Sequence, residues 1–147
     1  MFPLLKGFFI KKDASLDNFD NLINEINSLS NNAEVQELFV LSSAYSLVGF
    51  QKEESKIGQA GQTCSSFKFS EEIEKPSDCN FENGCLCLCT GKKPSTFNCS
   101  PENKAICIGL NYNIVNTKDN CGYLVIEGDS QNNLKIKKSA DTLIITF

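Results

Sequence analysis

A chain of 147 residues, 41% apolar and 22% charged, has the make-up of one folded globular domain and not of a disordered tract. Its formal charge is −4 and all fourteen basic residues are lysines. Without arginine, which makes the bidentate contacts to phosphate and guanine, and with a pI near 4.9, nucleic-acid binding is excluded as an expectation. Histidine is also missing, which removes the usual general base and the commonest metal ligand, so an enzyme is the least expected class and no cofactor is expected.

The first residues, Met1 to Ile10, are apolar but broken by Lys6 and followed by Lys11 and Lys12. They lack the basic-then-apolar order of a signal peptide. Residues 7–12 are read as a first strand or the stub of an anchor. No apolar run reaches the roughly eighteen residues of a transmembrane helix. An amphipathic helix follows, because Leu16, Phe19, Leu22, Ile23, Ile26 and Leu29 form one stripe at helical spacing. Asp13 or Ser15 suits its cap, and Ser30, Asn31 and Asn32 end it. Residues 34–41 and 45–50 read as the two strands of a hairpin turning at Ser42 and Ser43, the first of them apolar on both faces over residues 38–41. Residues 51–63 form a polar loop, a seam between an N-terminal α/β part (1–55) and a cysteine-rich β part (64–147) of a single domain.

Beyond Cys64 the helical period is gone. Residues 66–70 alternate as a strand, Lys75-Pro76-Ser77-Asp78 is a turn, and Asn83-Gly84 is a strong turn signal ahead of Cys85-Leu86-Cys87-Leu88-Cys89. Residues 106–110, 122–127, 134–138 and 142–147 are further strands, the last two pairing as a hairpin. The fold class expected is α+β: one N-terminal amphipathic helix on a mainly antiparallel, disulfide-rich β domain.

Eight cysteines exceed what a core of this size needs, and an even number agrees with full pairing in an oxidising, extracytoplasmic setting. On a strand Cys85, Cys87 and Cys89 face one way, and Leu86 and Leu88 the other, which asks for a central position. Cysteines two apart on one strand are poorly placed to bond to each other, so each of the three should pair with a different distant cysteine. Cys64, Cys79 and Cys121 are expected to take those places, leaving Cys99 with Cys107. The competing reading is a thiolate metal site, since soft thiolates select zinc, copper(I) or iron–sulfur clusters. Against it, there is no Cys-x-x-Cys pair and the spacings do not fit zinc ribbons or ferredoxins. Disulfides at all eight positions, with no metal, are therefore expected.

Three weaker signals remain. Asn98-Cys99-Ser100 matches a glycosylation sequon, followed by Pro101. The acidic run Glu71-Glu72-Ile73-Glu74 lacks calcium-loop spacing and reads as a solvated face. An acid–base pair such as Glu82 with Asp78 would work only if burial shifted a pKa.

The segment from Lys75 to Cys79, then Gly84 to Cys89, Cys99 and Cys107, with Val48-Gly49-Phe50 ahead of them and Lys137-Lys138 leading to Phe147, resembles cysteine-rich, membrane-anchored surface proteins of small-genome archaea over roughly residues 15–147. That resemblance implies a cysteine framework and an anchored surface location, and it implies no catalytic residues. The function expected is a non-catalytic, disulfide-stapled extracytoplasmic domain with a structural or interaction role at the cell surface, its leader or anchor lying upstream of this sequence. Three alternatives stay open. One is a subunit of a surface fibre or lattice pairing through the β-prone residues 142–147. Another is a secreted inhibitor or toxin-like module using the loop 91–98 between Cys89 and Cys99. The last is a thiolate metal-binding protein. Partners are then a protein or surface component, with the chain either monomeric or assembled through strands.

Overall fold

The computed structural model describes residues 13–64, 67–93 and 96–147, so the strand or anchor expected over 7–12 lies outside the described residues. Helix α1 spans Ala14–Ser28. Twelve strands follow: β1 Glu34–Leu41, β2 Tyr45–Phe50, β3 Lys56–Ile57, β4 Thr63–Cys64, β5 Phe67–Lys68, β6 Ile73–Glu74, β7 Gly84–Thr90, β8 Ile106–Leu110, β9 Asn113–Val115, β10 Val125–Ile126, β11 Ser130–Ser139 and β12 Thr142–Thr146. They make two four-stranded sheets, β1-β11-β12-β9 and β10-β2-β7-β8, and two small pairs, β3-β6 and β4-β5. All pairings are antiparallel except β12 with β9. One helix on mainly antiparallel, disulfide-linked sheets is an α+β fold.

The helix starts where the sequence places it. The Asp13 side chain accepts from the Ser15 N–H at 2.8 Å and from the Ser42 hydroxyl at 2.9 Å, while the Ser42 N–H donates to the Ser15 hydroxyl. Burial alone would raise the Asp13 carboxyl, but these bonds from Ser15 and Ser42 outweigh it and hold the group below its ordinary value. The apolar stripe buries Phe19, Leu22 and Ile26 against Phe39 and Leu41 of β1 and Leu134 and Ile136 of β11. At the other end Lys138, buried on β11, donates its ammonium to the Leu29 carbonyl at 2.8 Å and lies 5.0 Å from the Tyr112 ring centroid. A cation on the last carbonyls suits the negative end of the helix dipole.

Strands β1 and β2 are not a hairpin. The chain crosses at residues 42–44 from one sheet to the other, so β1 pairs with β11 and β2 with β7 and β10. The physical reason is burial. Tyr45–Phe50 is almost wholly buried on both faces and needs a neighbour at each edge and a layer on each side. By contrast β1 has one dry face, with Phe39 and Leu41 buried, and one wet face on which Leu38 is half exposed. The two parts divided at the 51–63 loop therefore contribute strands to both sheets. The expected strand over 122–127 shrinks to β10, and the strand expected over 134–138 lengthens to β11, which begins at Ser130.

Residues 142–146 do form the hairpin with β11, but their other edge is taken by β9 in parallel. With one edge of β12 on β11 and residues 142–144 of the other on β9, the fibre reading is left with only Ile145 and Thr146 beyond the β9 pairing. Two cores result. The first joins α1, the inner face of the β1 sheet and Leu47, Leu86, Leu88, Leu110 and Ile126 of the β7 sheet, and contains no cysteine. The second lies on the opposite face of the β7 sheet and contains all eight cysteines, six of them buried and two at its margin.

Leu88 is fully buried in the first core, so Leu88→Ala should cost about 2–5 kcal/mol in urea unfolding. Leu38→Ala, at a half-exposed site, should stay within about 0.5 kcal/mol of the parent. Equal effects would show that the leucine face is not the core.

Glu37 points to the inner face of β1 beside Leu134, and its Oε2 is buried without a hydrogen-bond partner. Burial, and then the charge of Glu25, raise its carboxyl above 4.5. The folded state holds this proton more tightly than the unfolded chain does, so the penalty is absent below pH 4.5 and grows as pH rises through the folded value. Glu37→Gln should raise the thermal midpoint at pH 7, and the gain should fade as pH drops towards 4.5. A gain that does not change with pH would remove this assignment.

Candidate functional site: the cysteine layer and the groove beside it

Strand β7 lies between β2 and β8 and is the hub of the second core. Gly84 opens it because an added methyl would run into the Tyr112 carbonyl, so only glycine lets the strand pass under that turn. Cys85, Cys87 and Cys89 are fully buried on one face, and Leu86 and Leu88 on the other. The three cysteines bond to three different partners, Cys85 to Cys79, Cys87 to Cys107 and Cys89 to Cys99. Cys64 pairs with Cys121. The pairing of Cys99 with Cys107 expected from the sequence is therefore wrong. Cys107 stands directly opposite Cys87 on β8. Cys99 follows the bridge between Thr90 and Asn98, which puts it beside Cys89. Strand register claims both for the triplet, and Cys64 and Cys121 are left for each other.

Above this face sits a cap built from short elements. Phe50, Ile57, Phe67, Phe69 and Ile73 pack on the disulfides, and the Phe69 ring meets Phe67 and Tyr123 edge-on at 5.1 Å and 5.9 Å. Pairs of two-residue strands cannot hold such a cap by hydrogen bonding alone. Lys75 adds a polar tie. Its ammonium donates to the carbonyls of Gln51 (3.0 Å), Phe81 (3.3 Å) and Asn83 (2.7 Å), and burial lowers its pKa. It thereby fixes the end of β2 to the loop that joins Cys79 to Cys85.

Two surface features rest on the cap. The first is an open groove of about 910 Å³ between residues 59–60, 71–77 and 97–101. Ile73, Pro76 and Phe97 supply apolar lining, and Glu71, Glu72 and Glu74 make it acidic. Glu72 is paired with Lys56 at 2.8 Å. Asn98, exposed, lines the groove, and its Oδ1 accepts from the Ser100 N–H at 3.0 Å, so a glycan at the sequon would stand there. The second feature is the loop 91–98, which Cys89–Cys99 closes into a ring. Thr90 and Asn98 exchange two backbone bonds at its neck. Gly91, at φ +106°, carries no side chain where the Thr96 carbonyl approaches. The Lys92 ammonium donates to the Asp129 carboxylate at 3.1 Å, and the Lys92 backbone carbonyl accepts from the Gly128 N–H.

The sulfurs of Cys79, Cys85, Cys87 and Cys107 all lie within 4.8 Å of one another. Between the two disulfides the closest approaches are 3.8 Å (Cys79 to Cys87) and 3.7 Å (Cys85 to Cys87). Asp78 and Glu82 are both exposed, so the burial that an acid–base role would require of them is missing. The groove was not foreseen, because its walls come from three separated segments. The acidic run on one wall read as a solvated face, and the closeness of Glu71–Glu74 to Cys99 has no local sequence signal. Among the described residues no helix is long and apolar enough to cross a membrane. No family model, curated protein or solved structure matches the chain.

Proposed function

We propose that the chain is a non-catalytic, extracytoplasmic domain with a structural or interaction role at a cell surface, the groove beside Cys99 being its interaction face. One observation carries this reading: all eight cysteines are paired, and three bonds leave alternate positions of a single central strand. Four disulfides suggest maturation in an oxidising compartment. The resemblance to anchored archaeal surface proteins points the same way. The groove supports an interaction role because it joins apolar and acidic lining on a covalently braced frame.

Protein isolated without reductant should weigh less than the reduced chain by two hydrogens for each of four disulfides. Reduction should leave the fold in place at low temperature and greatly lower its thermal midpoint, each kcal/mol of lost stability costing roughly 2–4 °C. Free thiols in protein purified without reductant, or a midpoint indifferent to reductant, would sink the proposal.

The ring closed by Cys89 and Cys99 favours a second reading, a secreted inhibitor or toxin-like module that presents a rigid loop. Such a loop resists the proteases it meets. A trypsin-like protease should leave the Lys92–Lys93 bond intact in the oxidised protein and cut it after reduction. Rapid cleavage of the oxidised protein there removes the second reading.

A further inference from the structure

We propose that Cys79, Cys85, Cys87 and Cys107 are a convertible metal site: with their two disulfides reduced, the four thiolates take one zinc ion in tetrahedral coordination. This goes beyond the surface-domain reading and concerns a different redox state of the same sulfurs, so each proposal can fail without the other.

The geometry carries it. A zinc–sulfur bond of about 2.3 Å places the sulfurs of a tetrahedral site about 3.8 Å apart. The contacts between the two disulfides are already 3.8 Å and 3.7 Å, and the whole quartet fits within 4.8 Å. Only the two bonded pairs must part. The positions of the four residues do not depend on those bonds alone. Cys85, Cys87 and Cys107 sit on hydrogen-bonded strands, with Cys87 facing Cys107 across the β7–β8 ladder. Cys79 is held in a turn, its N–H donating to the Pro76 carbonyl.

Access also fits. Lys75 orders the link between Cys79 and Cys85 by donating to the carbonyls of Phe81 and Asn83. Three of the sulfurs belong to buried residues, while Cys107 is half-buried on the edge strand β8 and gives a way in. Soft thiolates select zinc without help from histidine. The remaining cysteines form no comparable set, since Cys64 and Cys121 gather with only a carboxylate, Asp119, for company.

The chemistry balances with a phosphine or a dithiol as reductant. Each phosphine takes an oxygen from water, becomes a phosphine oxide and delivers two electrons and two protons to one disulfide. Two such steps break both sulfur–sulfur bonds and leave four thiols. Zinc then forms four metal–sulfur bonds and displaces four protons to solvent.

Cobalt(II) is the probe, added to the whole chain under phosphine and without oxygen. The reduced protein should bind one cobalt per chain with the intense visible bands of a tetrahedral thiolate site, and added zinc should bleach them. The oxidised protein should show no bands. C64S/C121S and C89S/C99S should keep the spectrum. C79S should weaken cobalt binding by more than the roughly 10–100-fold that loss of a supporting group costs, and C87S/C107S should abolish the bands. Protease resistance of the reduced chain, with and without zinc, guards against a trivial unfolded complex: zinc should restore it in the parent and not in C79S. Absence of the bands, equal losses in all the variants, or zinc that leaves protease resistance unchanged would each overturn the proposal.

Discussion

Strand β7 has no solvent face, and the rest of the structure follows from that. Gly84 to Cys89 are buried throughout, with a hydrogen-bonded neighbour on each side. A strand in that position must give each face a layer to pack against. Leu86 and Leu88 find one in the helix and the β1 sheet, where long elements supply enough apolar surface. The opposite face has no comparable layer available. What covers it is a set of two-residue strands and loops between residues 51 and 82 and around 97–101. Such pieces bury little surface each and would open easily. Cysteine on that face solves the problem chemically, since the sulfurs fill core volume while Cys85–Cys79 and Cys89–Cys99 fasten flanking loops to the strand.

Much of this was legible in the sequence because it depends on local periodicity. The stripe from Leu16 to Leu29 gives α1, and Asp13 or Ser15 as the capping residue gives its start, a choice the structure makes for Asp13. Alternation of cysteine and leucine gives a central strand with two different faces, and from this follows the rule that each cysteine of the triplet pairs outward. The failures share a cause, which is that they depend on register between distant segments. Whether Cys107 meets Cys87 or Cys99 is decided by how β8 slides along β7. Whether β1 and β2 form a hairpin is decided by which layer each can bury itself in. The parallel contact of β9 with β12 joins segments of ordinary β character with no turn to announce it. The inward lysine, Lys138, carries no local signal of its role, and only the fold shows it holding the end of the helix.

The candidate surfaces inherit their shape from the same strand. Cys89–Cys99 closes the loop 91–98 and also fixes residues 97–101, which form one wall of the groove. Lys75 is among the residues that line that groove, and its ammonium holds the loop between Cys79 and Cys85. A single bond therefore bears on both surfaces, closing the loop and holding one of the three segments that line the groove. Preorganised loops lose less entropy on binding, which is the physical advantage of placing recognition on a stapled frame.

The separation of the two cores has a consequence for how the molecule responds to redox conditions. Every residue that joins the helix to the two sheets is free of cysteine, so this half owes its stability to apolar burial and backbone ladders alone. All eight cysteines are in the other half. Cutting the disulfides removes cross-links from the cap while β7 keeps its ladders to β2 and β8. The helix side of the sandwich is thus without cross-links, while Cys87–Cys107 ties β7 to β8 and the other three bonds hold the cap. Within that cap the bonds are unequal. Cys89–Cys99 and Cys64–Cys121 each hold a separate part of the surface, whereas the other two touch, sulfur against sulfur, where the turn at Cys79 meets β7 and β8. A thiolate freed at Cys87 has a disulfide within 3.8 Å to attack, so exchange or metal capture is open to this quartet. The layer that secures the cap is therefore also the part of the molecule whose chemistry is least fixed by the fold.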